Sequence, residues 1–156
     1  MSSMMPFSIC RLTRDDVALM KAMLTMFGEA FDEIDTYTKA VPSAGYLQRL
    51  LDSRHFIALA ALKDSTVIGG LAAYELQKFE RERSEIYIYD LAVAAAHRRE
   101  GIATALIGEL KLIAATRGAD VIFVQADRGD AAAISLYTKL GIREEVLHFD
   151  IKVVDR

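Results

Sequence analysis

Two arginines and a glycine, Arg98, Arg99 and Gly101, stand where a β-rich run of sequence gives way to a helical pattern. The run covers residues 85–93, and the helical pattern continues through apolar residues at 106, 107, 110 and 113. A helix start offers unpaired backbone N–H groups and the positive end of the helix dipole, and arginine adds formal charge. Glycine lets the backbone approach an anion closely. The stretch therefore predicts a site for a phosphate-rich ligand.

The β-rich run changes phase in its middle. Ile86 and Ile88 lie on one face of an ideal strand, whereas Leu91 and Val93 lie on the opposite face. Either both faces are buried there, or a β-bulge between Tyr89 and Leu91 shifts the register by one residue. A bulge would leave backbone N–H and C=O groups free to bind a ligand that lies along the strand.

The first half of the chain supplies neighbours for this strand. Residues 7–12 read as a strand, Thr13 as the N-cap of a helix, and Pro42-Ser43 as the start of a second helix. The runs 56–62 and 66–79 predict an antiparallel hairpin. Gly69-Gly70 within it predicts a bulge or a close backbone approach.

The second half continues with alternating strands and helices. Gly118 should end the helix that follows Gly101, and residues 121–126 read as a strand buried on both faces. Asp130 should cap a helix that ends at Gly141, and residues 142–154 should hold one or two strands. This order predicts a single α+β domain over residues 1–156, with a mixed sheet of six to seven strands and about four helices.

Composition excludes several classes of function. A net charge of −3 argues against a broad nucleic-acid surface, and no apolar segment is long enough to span a membrane. Residues 1–6 lack the pattern of a signal peptide. The one cysteine, Cys10, allows no internal disulfide and fits a reducing, cytoplasmic compartment. His55, His97 and His148 lack metal-ligand spacing, so we expect no metal.

Three motifs, taken in order, resemble the acetyl-CoA-dependent GCN5-related N-acetyltransferase (GNAT) superfamily. They are Asp90-Leu91-Ala92-Val93, then Arg98-x-x-Gly101-x-Ala103, then Asp130-x-x-Ala133-x-x-Leu136-Tyr137-x-x-x-Gly141-Ile142. The predicted order of elements also fits the GNAT fold, which implies a β-bulge and a strand splay at the acetyl-CoA site.

A narrower resemblance rests on longer runs, at residues 56–61, 78–80, 83–93, 124–127 and 136–146. These runs resemble the type I aminoglycoside 3-N-acetyltransferases, the gentamicin-modifying group. The first fifty residues match more loosely. The resemblance implies acetyl transfer from acetyl-CoA to the 3-amino group of a polycationic aminoglycoside, conferring antibiotic resistance. By analogy with the family, it also implies a homodimer.

The resemblance assigns a binding site for acetyl-CoA. The pyrophosphate should sit on backbone N–H groups at residues 99–104, with the arginines neutralising its charge. The pantetheine should pair with residues 91–93 where the strands splay, and the N–H near Leu91 should stabilise the oxyanion. The implied site comprises Leu91, Ala92, Val93, Arg98, Arg99, Glu100, Gly101, Ile102, Ala103 and Thr104.

Tyr137 is the general acid that the resemblance implies for the departing thiolate, although its spacing alone favours a packed helix aromatic. The attacking amine must lose a proton, and Asp90 and Glu85 are both candidates for the base. A water-relayed transfer to another carboxylate remains an alternative, and Asp90 could instead satisfy the backbone of the bulge.

A site for several ammonium groups should be lined with carboxylates, although each acidic residue taken alone fits a solvated charge. The candidates are Asp32, Glu33, Asp35, Glu80, Glu82, Asp127 and Asp150. Two other functions stay open at this point. One is acetylation of a protein, peptide or polyamine amine, and the other is a non-catalytic acyl-CoA-binding module.

Overall fold

The computed structural model describes residues 6–155, which form two compact units, one ending at Gln125 and the other beginning at Ala126. The strands of the first unit are β1 (Ser8–Arg11), β2 (Phe56–Lys63), β3 (Thr66–Lys78), β4 (Arg83–Val93) and β5 (Ala119–Val124). Its α-helices are α1 (Val17–Ala30), α2 (Ile34–Thr38), α3 (Ala44–Asp52) and α4 (Ile102–Arg117), with a 3₁₀ turn at Ala95–His97. The second unit contains α5 (Ala131–Leu140).

The five strands form one mixed sheet in the order β1-β2-β3-β4-β5. The first three pairings are antiparallel, and β5 runs parallel to β4. The α4 helix makes the crossover between the two parallel strands, as such a connection requires. The predicted α+β class with a mixed sheet is confirmed.

The predicted strand and helix counts need correction. Within residues 6–155 the sheet has five strands rather than six to seven, because residues 142–154 contain no strand. The apolar side chains of that stretch are exposed, for example 78% at Leu147 and 76% at Phe149. Alternation alone does not make a strand, since a strand also needs a neighbour for its backbone hydrogen bonds. The helix that the sequence reading missed is α2, which lies in the acidic segment.

Each face of the sheet is covered by different helices. One face packs against α1 and α3 through a core that includes Met23, Phe27, Leu47 and Phe56, and we call it the α1/α3 face. The opposite face, here the α4 face, is filled by aliphatic side chains. Fully buried members are Ile57, Leu59, Leu71, Ile86, Ile102, Leu106 and Leu110. The core therefore forms two layers, with the sheet between them.

Four of the five predicted helix boundaries are confirmed. Ser43 accepts a hydrogen bond from the N–H of Tyr46, Asp130 caps α5, Gly141 ends that helix, and Gly118 ends α4 at a φ of 73°. The prediction for Thr13 is wrong, because Asp16 is the N-cap of α1. The Thr13 N–H donates to Asp16 Oδ2 at 2.7 Å, so the aspartate carboxylate closes this turn.

Gly69 and Gly70 lie beside a register shift between β2 and β3, as predicted. A Cβ at Gly70 would lie 2.5 Å from Met23 Sδ, so glycine is needed for α1 to pack on the strand. The expected burial of β5 on both faces is wrong, since Val121 is 45% exposed at the edge of the sheet. An edge strand has one fewer neighbour to cover it.

Among the described residues, none of the helices is long and apolar enough to cross a membrane. The expected absence of a signal peptide falls almost wholly on residues 1–5, which lie outside the described part of the chain. The single-domain organisation stays a prediction.

Candidate active site

The predicted bulge lies in the middle of β4. Ile88 pairs with Ala73 and Asp90 pairs with Ala72, so Tyr89 is an extra residue on β4. Directly paired residues of an antiparallel ladder point to the same face. Ala72 belongs to the core of the α1/α3 face, so the bulge turns Asp90 toward that face. Without the extra residue, Asp90 would point toward α4.

The Asp90 carboxylate meets a side chain that sequence reasoning missed. The Tyr37 hydroxyl, from α2, donates to Asp90 Oδ1 at 3.3 Å and to Oδ2 at 3.2 Å. Burial raises the pKa of Asp90, the Tyr37 hydrogen bond lowers it, and the charge of Glu33 raises it further. The net result is a raised pKa, which favours a general base because a weaker acid is a stronger base.

Aromatic side chains surround this carboxylate on the α1/α3 face. Tyr74 lies 5.2 Å from Phe56 and 5.9 Å from Tyr89, measured between ring centroids. Tyr87 stacks on Phe123 at 4.7 Å and lies 5.9 Å from Tyr89. Burial raises the pKa of both Tyr74 and Tyr87, so these phenols stay protonated at neutral pH. The region offers ring faces and hydroxyls next to one carboxylate.

Glu85, the other candidate base, lies in a different environment at the start of β4. Arg83 donates to Glu85 Oε1 at 3.0 Å and to Asp120 Oδ2 at 3.2 Å, and it also pairs with Glu80. Arg81 pairs with the same Asp120 oxygen at 3.0 Å. Glu85 therefore belongs to a network of ion pairs that already contains its counter-charge.

The second half of β4 has an open edge. The parallel pairing with β5 extends only as far as Ile88, so the two strands part there as predicted. The Ala94 N–H donates to the Ile68 carbonyl on the β3 side at 2.8 Å. Since N–H groups alternate along a strand, those of Leu91 and Val93 point to the open edge. The family resemblance assigns these backbone groups to binding of the pantetheine and to stabilisation of the oxyanion.

The turn that leads into α4 has an unusual backbone. Arg99 has a φ of 66° and Gly101, the N-cap, a φ of 79°. A Cβ built on Gly101 meets no atom within 4 Å, so the space next to this turn is open. Arg98 and Arg99 are exposed, whereas Ile102 is buried. A Cβ at Gly69 would lie 2.8 Å from Ile102 Cγ2, so the first helical residue packs closely on β3.

These features fit a diphosphate ligand such as that of acetyl-CoA. The N–H groups of a first helical turn lack helical partners, and here those of Ile102, Ala103 and Thr104 follow an open turn. Two exposed arginines precede them. Glu100 Oε2 lies 3.0 Å from His97 Nδ1, so the Glu100 carboxylate has a partner within the same loop.

The acidic residues proposed for substrate binding fall into separate groups. Asp32, Glu33 and Asp35 border a shallow depression of about 390 Å³ at the start of α2. Glu80 and Glu82 follow β3, and Glu80 pairs with Arg83. Asp127 and Asp150 belong to the second unit, where Asp150 Oδ1 lies 2.9 Å from His148 Nε2. Of the two groups in the first unit, the one around α2 is brought close to Asp90, through Glu33.

Tyr137, the predicted acid, lies on α5 in the second unit and is half-buried. Burial raises its pKa, and the charge of Asp130 raises it further. The phenol therefore holds its proton at neutral pH, as a general acid must before it donates.

The sequence carried only a weak signal for Tyr37. It lies among residues 32–40, whose charges read as a solvated loop or a helix end. Its aromatic partners on α1, Phe27 and Phe31, fit helical spacing, but nothing local showed that a third ring joins them. Within the described residues no cluster of three or more His, Cys, Asp or Glu side chains could hold a metal ion.

Comparison with known proteins places this geometry in a family. The profile of the acetyltransferase (GNAT) family matches residues 19–142. No curated protein sequence matches the chain. A solved aminoglycoside acetyltransferase, HMB0005 from an uncultured soil metagenomic sample, is 61% identical, with 95% of this chain and 99% of that chain covered and a TM-score of 0.94.

Two further structures extend the comparison. The aminoglycoside acetyltransferase meta-AAC0020, also from an uncultured soil metagenomic sample, was solved with sisomicin; it is 29% identical, with 96% and 97% coverage and a TM-score of 0.88. The aminoglycoside N-acetyltransferase AAC(6')-Iy in complex with CoA shares the fold at 15% identity, with 95% of each chain covered and a TM-score of 0.74. By its sequence, its mixed sheet and its bulged central strand, this chain belongs to the acetyltransferase (GNAT) family.

Proposed function

We propose that this protein transfers the acetyl group of acetyl-CoA to the 3-amino group of an aminoglycoside antibiotic such as gentamicin. The observation that carries the proposal is the Asp90 carboxylate, which has a raised pKa and lies on a bulge beside the open edge of β4. The 61% identical aminoglycoside acetyltransferase supports the substrate class. The runs shared with the type I group support the 3-position.

The proposed reaction is a direct attack of the amine on the thioester. Asp90 takes one proton from the substrate ammonium, and the neutral nitrogen then forms a bond to the thioester carbon. The tetrahedral intermediate loses a second nitrogen proton to solvent, the carbon–sulfur bond breaks, and Tyr137 gives its phenol proton to the departing thiolate. Tyr137 then regains a proton from solvent. We assign the base to Asp90 rather than Glu85, because Glu85 is paired with Arg83.

Acetyl-CoA would be held at two places in the first unit. The turn from Arg98 to Thr104 would hold the pyrophosphate, and the outward N–H groups of Leu91 and Val93 would pair with the pantetheine. A polar N–H at Leu91 next to the thioester carbonyl would stabilise the charge that develops on that oxygen.

The surface around α2 suits a substrate with several ammonium groups. Asp32, Glu33 and Asp35 lie near the start of that helix, and Asp90 lies beyond its Tyr37 side chain. Carboxylates attract ammonium groups, and tyrosine faces accept cations and sugar rings. We propose this region, rather than Glu80 or Asp150, as the main wall of the aminoglycoside site, because those two residues already have partners.

We extend the proposal to a cytoplasmic homodimer that confers aminoglycoside resistance. Support for self-association comes from residues 142–154, where Ile142 is 97%, Ile151 88% and Val153 97% exposed. So many exposed apolar side chains in one stretch mark an interaction surface, and two-fold dimers are the commonest homo-oligomers. A monomer mass by light scattering would contradict this part of the proposal.

A thiol-release assay with acetyl-CoA tests the function. The panel contains gentamicin, kanamycin, spermidine and a lysine peptide, and we expect turnover of gentamicin. Two-dimensional NMR of the acetylated product should place the new acetyl group on the 3-amino nitrogen.

Other outcomes would contradict the proposal in different ways. Turnover of the peptide or spermidine without any aminoglycoside would assign the chain to another amine substrate. Acetylation at another amino group would keep the reaction and overturn the 3-position. Binding of acetyl-CoA without turnover of any amine would identify a non-catalytic acyl-CoA-binding module.

A further inference from the structure

The contact between Tyr37 and Asp90 joins two segments that are 53 residues apart in the chain. The hydroxyl lies 3.3 Å from Oδ1 and 3.2 Å from Oδ2, so it sits opposite the middle of the carboxylate edge. Lone pairs on the far side of both oxygens stay free to accept a proton. The contact therefore fixes one side of the carboxylate and leaves the other side available.

The position of Tyr37 is itself fixed by α1. Its ring centroid lies 6.0 Å from that of Phe27 and 5.8 Å from that of Phe31, and those two rings stack on each other. A Cβ at Gly28 would lie 3.3 Å from Tyr37 Cβ and 3.1 Å from Ile34 Cα. Glycine at this position lets α2 approach closely, so the hydroxyl has little freedom to move.

The groups that face Asp90 come from several elements. Glu33 comes from the start of α2 and the Tyr37 hydroxyl from its last residues, while β3 contributes Tyr74 and β4 contributes Tyr87 and Tyr89. From α3, Tyr46 reaches Tyr74 but makes no hydrogen bond to the carboxylate. The α1 side is apolar, with Met23, Met26 and Phe27.

We propose that Tyr37 is a positioning residue for acetyl transfer, and that its hydroxyl holds the Asp90 carboxylate in the orientation and ionisation state that a general base needs. The proposal rests on the proposed function, because it takes Asp90 as the base. The effect of the phenol on the carboxylate can be measured by titration, without any turnover of substrate.

The hydrogen bond opposes the two influences that favour the protonated form of Asp90. Burial and the charge of Glu33 both raise its pKa, and the Tyr37 hydroxyl lowers it. Burial and Asp90 in turn raise the pKa of Tyr37, so the phenol remains a donor throughout the working pH range. The pair thus keeps a partly buried carboxylate ionised and available to accept a proton.

The test measures the titration of Asp90 directly. In protein labelled with ¹³C at the aspartate carboxyl carbons, the Asp90 signal is assigned by its loss in Asp90→Asn. In Tyr37→Phe its midpoint should move to higher pH, because the carboxylate loses the donor that stabilises it. In the matched control Tyr46→Phe, which also removes one phenol hydroxyl on the same face, the midpoint should stay in place.

A second measurement needs no variant and keeps the test independent of folding. In wild-type protein the ¹³Cζ signal of Tyr37 should change with the same midpoint as the Asp90 carboxyl carbon. In kinetic assays, kcat of Tyr37→Phe should fall roughly tenfold at pH 7, less than the roughly 10²- to 10⁴-fold loss expected when the base itself is removed. The KM for acetyl-CoA should stay unchanged, because the contacts of Tyr37 with Phe27, Phe31 and Asp90 do not involve the Arg98–Thr104 turn.

The possible outcomes separate the inference from the proposed function. An unchanged or lowered Asp90 midpoint in Tyr37→Phe, or a Tyr37 signal that ignores the Asp90 titration, would overturn the positioning role. If the midpoint moves as expected but wild-type protein acetylates no aminoglycoside, the contact stands and the proposed function fails.

Discussion

Two carboxylates of β4 lie on the α1/α3 side of the sheet, one near the start of the strand and one at its bulge, and their surroundings differ. Near the start, Glu85 accepts from Arg83, which also reaches Glu80 and Asp120. At the bulge, Asp90 accepts from a neutral phenol and has Glu33 as its charged neighbour. One carboxylate has a permanent counter-charge, and the other has a polar but uncharged partner.

If the proposed function is correct, one strand provides both a carboxylate held in an ion-pair network and a carboxylate that takes up a proton. The ion pair with Arg83 already occupies the Glu85 carboxylate. A phenol orients the carboxylate and leaves most of its basicity intact. Residue type therefore cannot distinguish Glu85 from Asp90, but the partner of each can.

The largest expected effect is that of Asp90→Asn. The amide keeps the size of the side chain and still accepts from Tyr37, but it cannot take a proton. We expect kcat to fall roughly 10²- to 10⁴-fold, the range of general acid–base contributions. Single-turnover rates with gentamicin give the measurement, so that slow product release does not hide the effect. A rate within threefold of wild type would point to a water relay to another carboxylate.

An intermediate effect is expected for Glu33→Gln, which removes the charged neighbour of Asp90. The charge of Glu33 raises the pKa of Asp90, so its loss should move the carboxyl midpoint to lower pH. This direction is opposite to that of Tyr37→Phe. The ¹³C titration described above measures it, and a midpoint that rises would show that Glu33 does not act on Asp90 through its charge.

The smallest effect is expected for Glu85→Gln. The side chain is partly exposed and belongs to a network that retains Glu80 and Asp120, so the loss should cost about 0.2–1 kcal/mol of stability. We expect kcat to change less than about threefold, because the proposed reaction assigns proton transfer to Asp90 and not to Glu85. Thermal melts and the same single-turnover assay measure both quantities. A loss as large as that of Asp90→Asn would reverse the assignment of the base.

Much of the first unit could be predicted from the sequence, because its signals are local. The phase change between Tyr89 and Leu91 indicated either a bulge or burial on both faces, and the structure has the bulge. Gly118 and Ser43 predicted helix ends from their own conformations and side chains. Resemblance then supplied roles for Asp90 and the turn at Arg98, which local patterns alone could not have given.

What the sequence could not predict depends on contacts between distant segments. In the sequence, Tyr37 lies in a stretch that looks like a charged loop, and only the folded structure shows that it contacts Asp90. The ion pair between Arg83 and Glu85 is likewise visible only in the folded structure. The stretch at 142–154 shows the converse. Its apolar alternation is a local signal for a strand, but a strand forms only where another strand accepts its hydrogen bonds.

Cys10 on β1 has a practical consequence for the thiol-release assay. It is the one cysteine of the chain, and burial, with a smaller contribution from Asp16, raises the pKa of its thiol. A raised pKa lowers the thiolate fraction, so this sulfur reacts slowly with disulfide reagents at neutral pH. In the assay, the protein itself can react with at most one equivalent of reagent per chain, and it does so slowly. The rapid signal then reports the free thiol of coenzyme A, and Cys10 is a single site for attaching a spectroscopic label.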